Sequence, residues 1–304
     1  MKPLWGIDLG GTKIEGVILK DATSTEVLFR KRIPTEQEKG YQHIIGRIKT
    51  LLQMMEDESG LKPEWIGIGT PGTIDPQTGL HKNSNTNCLN GQPFYRDLQY
   101  ALQLPVKMAN DANCFVLAEA RLGVVKEKMP EAKVVFGVIM GTGVGGGIVI
   151  NGKVLEGRQG IAGEWGHNFL DESGGVAYTG RKGVVETVLS GPALEEFYAS
   201  LTHEKKTLKE IYQLYQNGQD QAAQQTLQRL THFFGLAISV VINILDPDAI
   251  VVGGGVGNID LLYTEGVASA RKFVFNNRLE TRFFRPRLGD SAGVFGAALL
   301  IAEH

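Results

Sequence analysis

The chain opens with an apolar run, Leu4-Trp5-Gly6-Ile7, broken by Asp8-Leu9-Gly10-Gly11-Thr12-Lys13 and resumed at Gly16-Val17-Ile18-Leu19. Apolar run, glycine turn, apolar run predicts a β-hairpin. The mixed stretch from Thr23 to Ile33 would complete a meander. Between Tyr41 and Ser59 the apolar residues Ile44, Ile45, Ile48, Leu51, Leu52 and Met55 mark one face of a helix, which Gly60 ends. Trp65-Ile66-Gly67-Ile68-Gly69 reads as a short buried strand and Phe94 to Leu102 as a short helix. Val106-Lys107-Met108-Ala109 is a strand running through Asn110-Asp111-Ala112-Asn113 into a further helix. Strands and helices in this succession predict an α/β layer.

The second half repeats the design. Val134 to Met140 is apolar, Gly141-Thr142-Gly143-Val144-Gly145-Gly146-Gly147 is a turn, and Ile148 to Lys153 is a returning strand. A repeated supersecondary unit predicts two related lobes. Ala222 to Leu245 is the strongest helical pattern, with a broad apolar face, and Asp246-Pro247-Asp248 stops it. The run Ala249 to Val252 then enters Gly253-Gly254-Gly255-Val256-Gly257. Position 258 is Asn, so a dinucleotide fingerprint starting at Gly253 fails. These glycines are expected to let a base or ribose approach the backbone. Ser291 to Ala302 is a small-residue helix, expected to pack closely against the first lobe.

Composition narrows the classes. The chain has 304 residues and is 42% hydrophobic, enough for one large domain or two ordinary ones. Lys plus Arg is 31 against 33 Asp plus Glu, a balance that argues against a nucleic-acid or anionic-membrane partner. Cys88 and Cys114 form no disulfide framework and fit a reducing compartment. No apolar stretch approaches the ~18 residues of a membrane helix. The opening residues lack the charged-then-apolar pattern of a secretion signal, so a cytoplasmic location is expected. The mixed charges of Val125 to Lys133 and Leu201 to Lys209 read as solvated faces, and Arg278, Arg282, Arg285 and Arg287 as surface or subunit contacts.

The glycine turns carry the candidate chemistry. Gly10 and Gly11 would leave N–H groups uncovered for phosphate oxygens, with a hydroxyl from Thr12 and a charge from Lys13. Asp8, at a strand end, could hold a hydrated Mg²⁺ beside those phosphates. Gly141, Thr142 and Gly143 could grip the same phosphate chain from a second hairpin. The stretch from Thr70 to Asn90 is rich in turn residues and amides, including Pro71, Gly72, Asn83, Asn85, Asn87 and Asn90, which suit a hydroxyl-rich ligand. Asp111 taken alone reads as an N-cap, although strand ends are also where α/β ligand sites gather. Glu164 and His167 could converge in a tight loop, and Glu186 supplies a further carboxylate. A lone His reads first as a satisfied structural residue.

Together these motifs resemble the ROK family of sugar kinases and repressors, within the hexokinase–actin superfamily. The resemblance rests on Asp8 to Lys13, Asn110 to Asn113, Gly141 to Gly147, Gly163-Glu164-Trp165-Gly166-His167, Gly180 to Glu186 and Val252 to Gly255, and covers the whole chain. It implies an α/β fold of two ribonuclease-H-like (actin-like ATPase) lobes with an interlobe cleft. The smaller lobe is expected at 1–112 plus 291–304 and the larger at 113–290. It implies ATP and Mg²⁺ as cofactors, a hexose or N-acetylhexosamine as substrate, and Asp111 as the base that deprotonates the attacking hydroxyl, O6 being the expected one. Asn110, Glu164, His167 and Glu186 would hold sugar hydroxyls. Pro71, Gly72 and Asn85 lie on the loop expected to choose among sugars, with glucose, N-acetylglucosamine and fructose in front. Asp8 matches the Mg²⁺-associated acid. Gly10, Gly11, Thr12, Lys13, Gly141, Thr142 and Gly143 match the phosphate grip, and Gly254 and Gly255 the adenosine side.

The family often carries a structural zinc on the sugar-site His and three cysteines. Here those positions are Ala177, Thr179 and Val184, so no structural zinc is expected. A homodimer is implied by the resemblance alone. The competing readings are a sugar-responsive regulator, which would carry a DNA-binding segment ahead of the nucleotide loop, and a non-catalytic sugar-binding protein. The short stretch before Asp8 and the intact Asp8 and Asp111 favour the kinase.

Overall fold

A computed structural model describes residues 2–218 and 220–302. In chain order the elements are β1 (Leu4–Leu9), β2 (Lys13–Leu19), β3 (Val27–Pro34), α1 (Tyr41–Ser59), β4 (Ile66–Thr70), β5 (Thr73–Ile74), β6 (His81–Lys82), α2 (Phe94–Leu102), β7 (Val106–Asn110), α3 (Asp111–Arg121) and α4 (Val124–Lys128). There follow β8 (Val134–Met140), β9 (Val144–Ile150), β10 (Lys153–Val154), α5 (Val185–Leu189), α6 (Gly191–Thr202), α7 (Leu208–Asn217), α8 (Gln221–Leu245), β11 (Ala249–Gly253), α9 (Glu265–Ala270), β12 (Arg282–Phe284) and α10 (Ala292–Leu299).

The repeat seen in the sequence is a repeat of sheet topology. One five-stranded sheet runs β3-β2-β1-β4-β7 and the other β10-β9-β8-β11-β12. In the first, β1 pairs antiparallel with β2 and parallel with β4, and β7 extends the parallel side. In the second, β10 is antiparallel to β9, while β11 is parallel to both β8 and β12. The chain divides into two compact units. The first holds residues up to Glu131, Gly147–Ala162 and the chain from Arg287 on; the second holds Ala132–Gly146 and Gly163–Pro286.

In the first unit, α1 lays Ile44, Ile48, Leu51 and Met55 on β2 and β3, and Gly60 closes it in the left-handed region. The small-residue helix α10 packs on β1, β4 and α3. The approach is so close that a Cβ on Gly67 would overlap the Ala297 carbonyl, and one on Gly296 the Cys114 carbonyl. Buried Glu119 of α3 anchors the chain where it re-enters this unit. It accepts N–H groups from Val124 at 2.9 Å and from Leu288 at 2.8 Å, and another from Arg287.

In the second unit the turn after β8 is shorter than the glycine run suggests. Gly145, Gly146 and Gly147 belong to β9, where a side chain on Gly146 would press on the Gly163 carbonyl and Trp165. Asp248 is more than a helix stop: its carboxylate accepts the N–H groups of Lys133 and Val134, both at 2.8 Å. The expectation that nothing apolar is long enough to span a membrane needs correcting for α8. By length and composition this 25-residue helix would suffice. Half of its most apolar window is buried inside the protein, where Leu227, Leu230, Phe234 and Ile238 form its inner face. That burial accounts for the composition.

Candidate active site

In the first unit the candidate residues meet at the ends of β1 and β7. The β1–β2 hairpin closes with the Gly10 N–H donating to the Lys13 carbonyl at 3.0 Å, and Thr35 donates its hydroxyl to the Gly10 carbonyl at 2.6 Å. Asp8 precedes this turn, in a slot between β4 and α10 that a Cβ on Gly69 or Gly293 would crowd, at 3.3 Å and 2.9 Å from its carboxylate oxygens. Burial, then the charges of Asp111 and Glu15, push the Asp8 carboxyl up to about 7; the cations Lys13 and Arg32 pull it partly back. Glu15 itself is buried and paired with Arg30 and Arg32.

Asn110, not Asp111, is the N-cap of α3: its side-chain oxygen accepts the Asn113 N–H at 2.7 Å. With that oxygen engaged, the Asn110 amide nitrogen is the atom suited to a ligand. Asp111 is the first residue of the helix and keeps a solvent-facing side. The protein crowded round the rest of its carboxylate raises its pKa, against the pull of the Ala112 N–H at 2.8 Å. Two carboxylates that each resist ionisation, one raising the other, fit a divalent cation. Mg²⁺ needs only one or two protein carboxylates beside phosphate oxygens and water.

The loop from Pro71 to Gly91 is more built than its composition suggests. It contains the β5–β6 hairpin, and Gly72 sits at φ 79° with Lys82 and Ser84 backbone against it. Buried His81 donates from Nε2 to the Pro71 carbonyl at 2.8 Å; burial lowers its pKa, so it holds this turn as a neutral ring. Asn90 grips Ser84 through both backbone groups, accepting at 2.9 Å and donating at 2.8 Å. Asn85 stands exposed on the loop so fixed. Neither His81 nor Asn90 announced this role by spacing, since both act through backbone groups remote from their neighbours.

In the second unit Glu164, His167 and Glu186 gather near the turn after β8. His167 Nε2 lies 3.9 Å from the Glu164 carboxylate across a single 3₁₀ turn, Trp165–His167. Its Nδ1 is buried without a hydrogen-bond partner, so His167 is not the satisfied structural histidine that a lone His suggests. The other ring nitrogen, Nε2, faces Glu164 and is the atom open to a ligand. Glu186 accepts the Val144 N–H at 3.0 Å and would touch any side chain placed on Gly143. It therefore supports the Gly141-Thr142-Gly143 turn as well as offering a carboxylate.

Gly141, Thr142 and Gly255 border a cavity of about 850 Å³ in this unit, and a side chain on Gly141 would approach the Gly255 nitrogen at 4.0 Å. Gly254 takes φ 81°, and a side chain there would overlap the Met140 carbonyl, so both the backbone and the space call for glycine. Leu208, Tyr212, Val256, Ile259 and Pro192 give the cavity apolar walls, and Glu195, Lys209 and Asn258 its polar edges. The size and lining suit a nucleoside. Sequence reading missed the wall from Thr207 to Lys209, which it took for a solvated surface: these residues are largely exposed and yet line the cavity.

The loop at the family's cysteine positions closes without metal-binding side chains. Ala177 and Val184 are buried, Val184 bridges to Phe169, and the Ala177 N–H donates to the Arg181 carbonyl at 2.8 Å. An alanine, a threonine and a valine do not make a zinc ligand set with one histidine. Among the described residues no group of three or more His, Cys, Asp or Glu is placed to hold a metal ion.

The chain is similar to known proteins over nearly its whole length. The family model described as "ROK family" matches residues 4–304. The N-acetyl-D-glucosamine kinase of Vibrio atlanticus is 33% identical over 97% of this chain and 98% of its own length. The Escherichia coli enzyme of the same name is 31% identical over 97% and 98%. Among solved structures, the ROK hexokinase from Thermus thermophilus superposes with a TM-score of 0.86 at 30% identity, over 98% of this chain and 97% of that one. A ROK-family glucokinase from Streptomyces griseus, in complex with glucose and AMPPNP, gives 0.77 at 26% identity over the full length of both.

Proposed function

The chain belongs to the ROK family, and on that premise we propose that it is an ATP-dependent sugar kinase. It transfers the γ-phosphoryl group of ATP to a hydroxyl, O6, of a hexose or N-acetylhexosamine. N-acetylglucosamine is the foremost substrate, because the curated relatives at about a third identity carry that name. The observation that carries the reading is the Asp8–Asp111 pair beside the Gly10–Gly11 turn, with both carboxyls held above their ordinary range.

Phosphoryl transfer asks a protein for positioning and charge neutralisation more than for covalent chemistry. Asp111 accepts the proton of the attacking hydroxyl as its oxygen bonds to phosphorus and the bond to ADP breaks; a raised pKa makes it a better base than an ordinary carboxylate. Asn110, through its amide nitrogen, and Glu164, His167 and Glu186 orient the sugar. His167 engages the sugar through Nε2, and the carboxylates accept from hydroxyls. Gly10, Gly11, Thr12 and Lys13, with Gly141, Thr142 and Gly143, hold phosphate oxygens; Gly254, Gly255 and the cavity walls take the adenosine. Mg²⁺, when bound beside Asp8, supplies positive charge to the phosphates.

A coupled ADP-release assay over a panel of hexoses and N-acetylhexosamines tests this. Sugar-dependent ADP release, largest with N-acetylglucosamine, is expected. ADP release that no sugar stimulates would refute the kinase, and a different preferred sugar would refute the substrate assignment alone.

A further inference from the structure

Tyr178 is placed where a sugar site needs an apolar plane. It sits at the tip of a tight turn, with the Gly180 N–H donating to the Ala177 carbonyl at 2.9 Å and Gly180 at φ 77°. The residues framing it, Ala177 and Val184, are buried, yet Tyr178 is 73% exposed. Its ring meets the His167 imidazole edge to face, with centroids 5.6 Å apart and planes at 80°. Partial burial, and then the charges of Glu164 and Glu186, hold its phenol above the usual range, which places both carboxylates within electrostatic reach. One exposed aromatic ring thus packs on the His167 imidazole, with the Glu164 and Glu186 carboxylates within electrostatic reach.

A pyranose presents hydroxyls round its edge and C–H groups on its faces. Carboxylates and an imidazole can satisfy only the edge. A carbohydrate site gains its remaining affinity from an aromatic face, the side chain that offers most apolar area for least lost freedom. We infer that Tyr178 forms the aromatic wall of the sugar subsite and sets sugar affinity. This rests on the sugar-kinase reading and on Glu164, His167 and Glu186 as sugar ligands. The role belongs to the ring and not to the hydroxyl, because the ring is what packs on His167. The wall contributes alike before and after transfer, so it acts on binding and not on turnover.

The test uses the full-length enzyme. Y178A should raise the KM for N-acetylglucosamine, and its Kd measured calorimetrically without nucleotide, by about tenfold, the scale of one aromatic contact. Its kcat should stay within about threefold and its KM for ATP unchanged. Y178F should match the wild type, and melting of both variants should be unaltered because the side chain is exposed. A Kd for Y178A within twofold of the wild type, or a Y178F as impaired as Y178A, would overturn the inference. H167A separates the two levels. Sugar binding lost in H167A but kept in Y178A removes the wall alone, whereas a wild type that binds no hexose or N-acetylhexosamine removes the sugar-site reading with it.

Discussion

Replacing Asp8 by Asn should make the ligand-free protein more stable, and increasingly so as pH rises. The Asp8 carboxyl is pushed from 3.8 to about 7 by burial and by Asp111 and Glu15. A folded state that holds this proton more tightly than the unfolded chain gains stability that is full below pH ~4 and is lost as pH rises through about 7. Asn is nearly isosteric and never ionises. The stability difference between D8N and wild type should therefore be small at pH 4, open between pH 4 and 7, and level off above. At about 1.4 kcal/mol per unit, the full shift is worth on the order of 4 kcal/mol, an upper bound once local water and side chains relax. For a chain of this size that is a Tm gap of several degrees, up to roughly 10 °C. Urea unfolding of both proteins at pH 5, 6, 7 and 8, with EDTA and no nucleotide, measures the gap. A gap independent of pH, or a D8N less stable than wild type at pH 8, would refute the electrostatic account of this pair. The same variant should lose sugar-dependent ADP release, since it lacks the carboxylate proposed to sit beside Mg²⁺.

Other consequences follow from the packing and the cavity. Gly296→Ala sets a methyl against the Cys114 carbonyl and should destabilise the fold by about 1–3 kcal/mol or more, read from denaturant midpoints. Glu119→Gln replaces an acceptor of the Val124, Arg287 and Leu288 N–H groups by a donor, at a cost of roughly 1–3 kcal/mol in the same assay, while Glu119→Asp should recover part of it. Leu208→Glu puts a charge on an apolar wall of the nucleotide cavity; KM for ATP should rise at least about tenfold with KM for sugar unchanged. An unchanged KM for ATP would take the adenosine out of that cavity.

Much of the fold was legible because its signals are local. Periodicity marked α1 and α8, Gly60 marked a helix end, and the two glycine hairpins marked a repeated strand–turn–strand unit, which the structure extends to a repeated sheet order. What stayed hidden depends on partners distant in sequence. Gly145 to Gly147 looked like turn residues, and are strand residues, Gly146 being glycine because Gly163 and Trp165 press against it. Asn110 takes the capping role in place of Asp111 because the helix starts one residue earlier than an Asp cap would place it. His81 and Asn90 hold the Pro71 loop through carbonyls and N–H groups, which leave no pattern in side-chain order. Thr207 to Lys209 looked like surface because their stretch carries mixed charges, and a cavity wall open to solvent carries them too.

The most direct test compares wild type with Asp111→Asn, each incubated with N-acetylglucosamine, ATP and Mg²⁺ and followed by ³¹P NMR, with sugar affinity measured in parallel by calorimetry. The wild type should yield a 6-phosphate ester, and the variant should bind the sugar nearly as well while forming ester on the order of 10²–10⁴ times more slowly. Ester formation by Asp111→Asn at the wild-type rate would contradict the assignment of this carboxylate as the base.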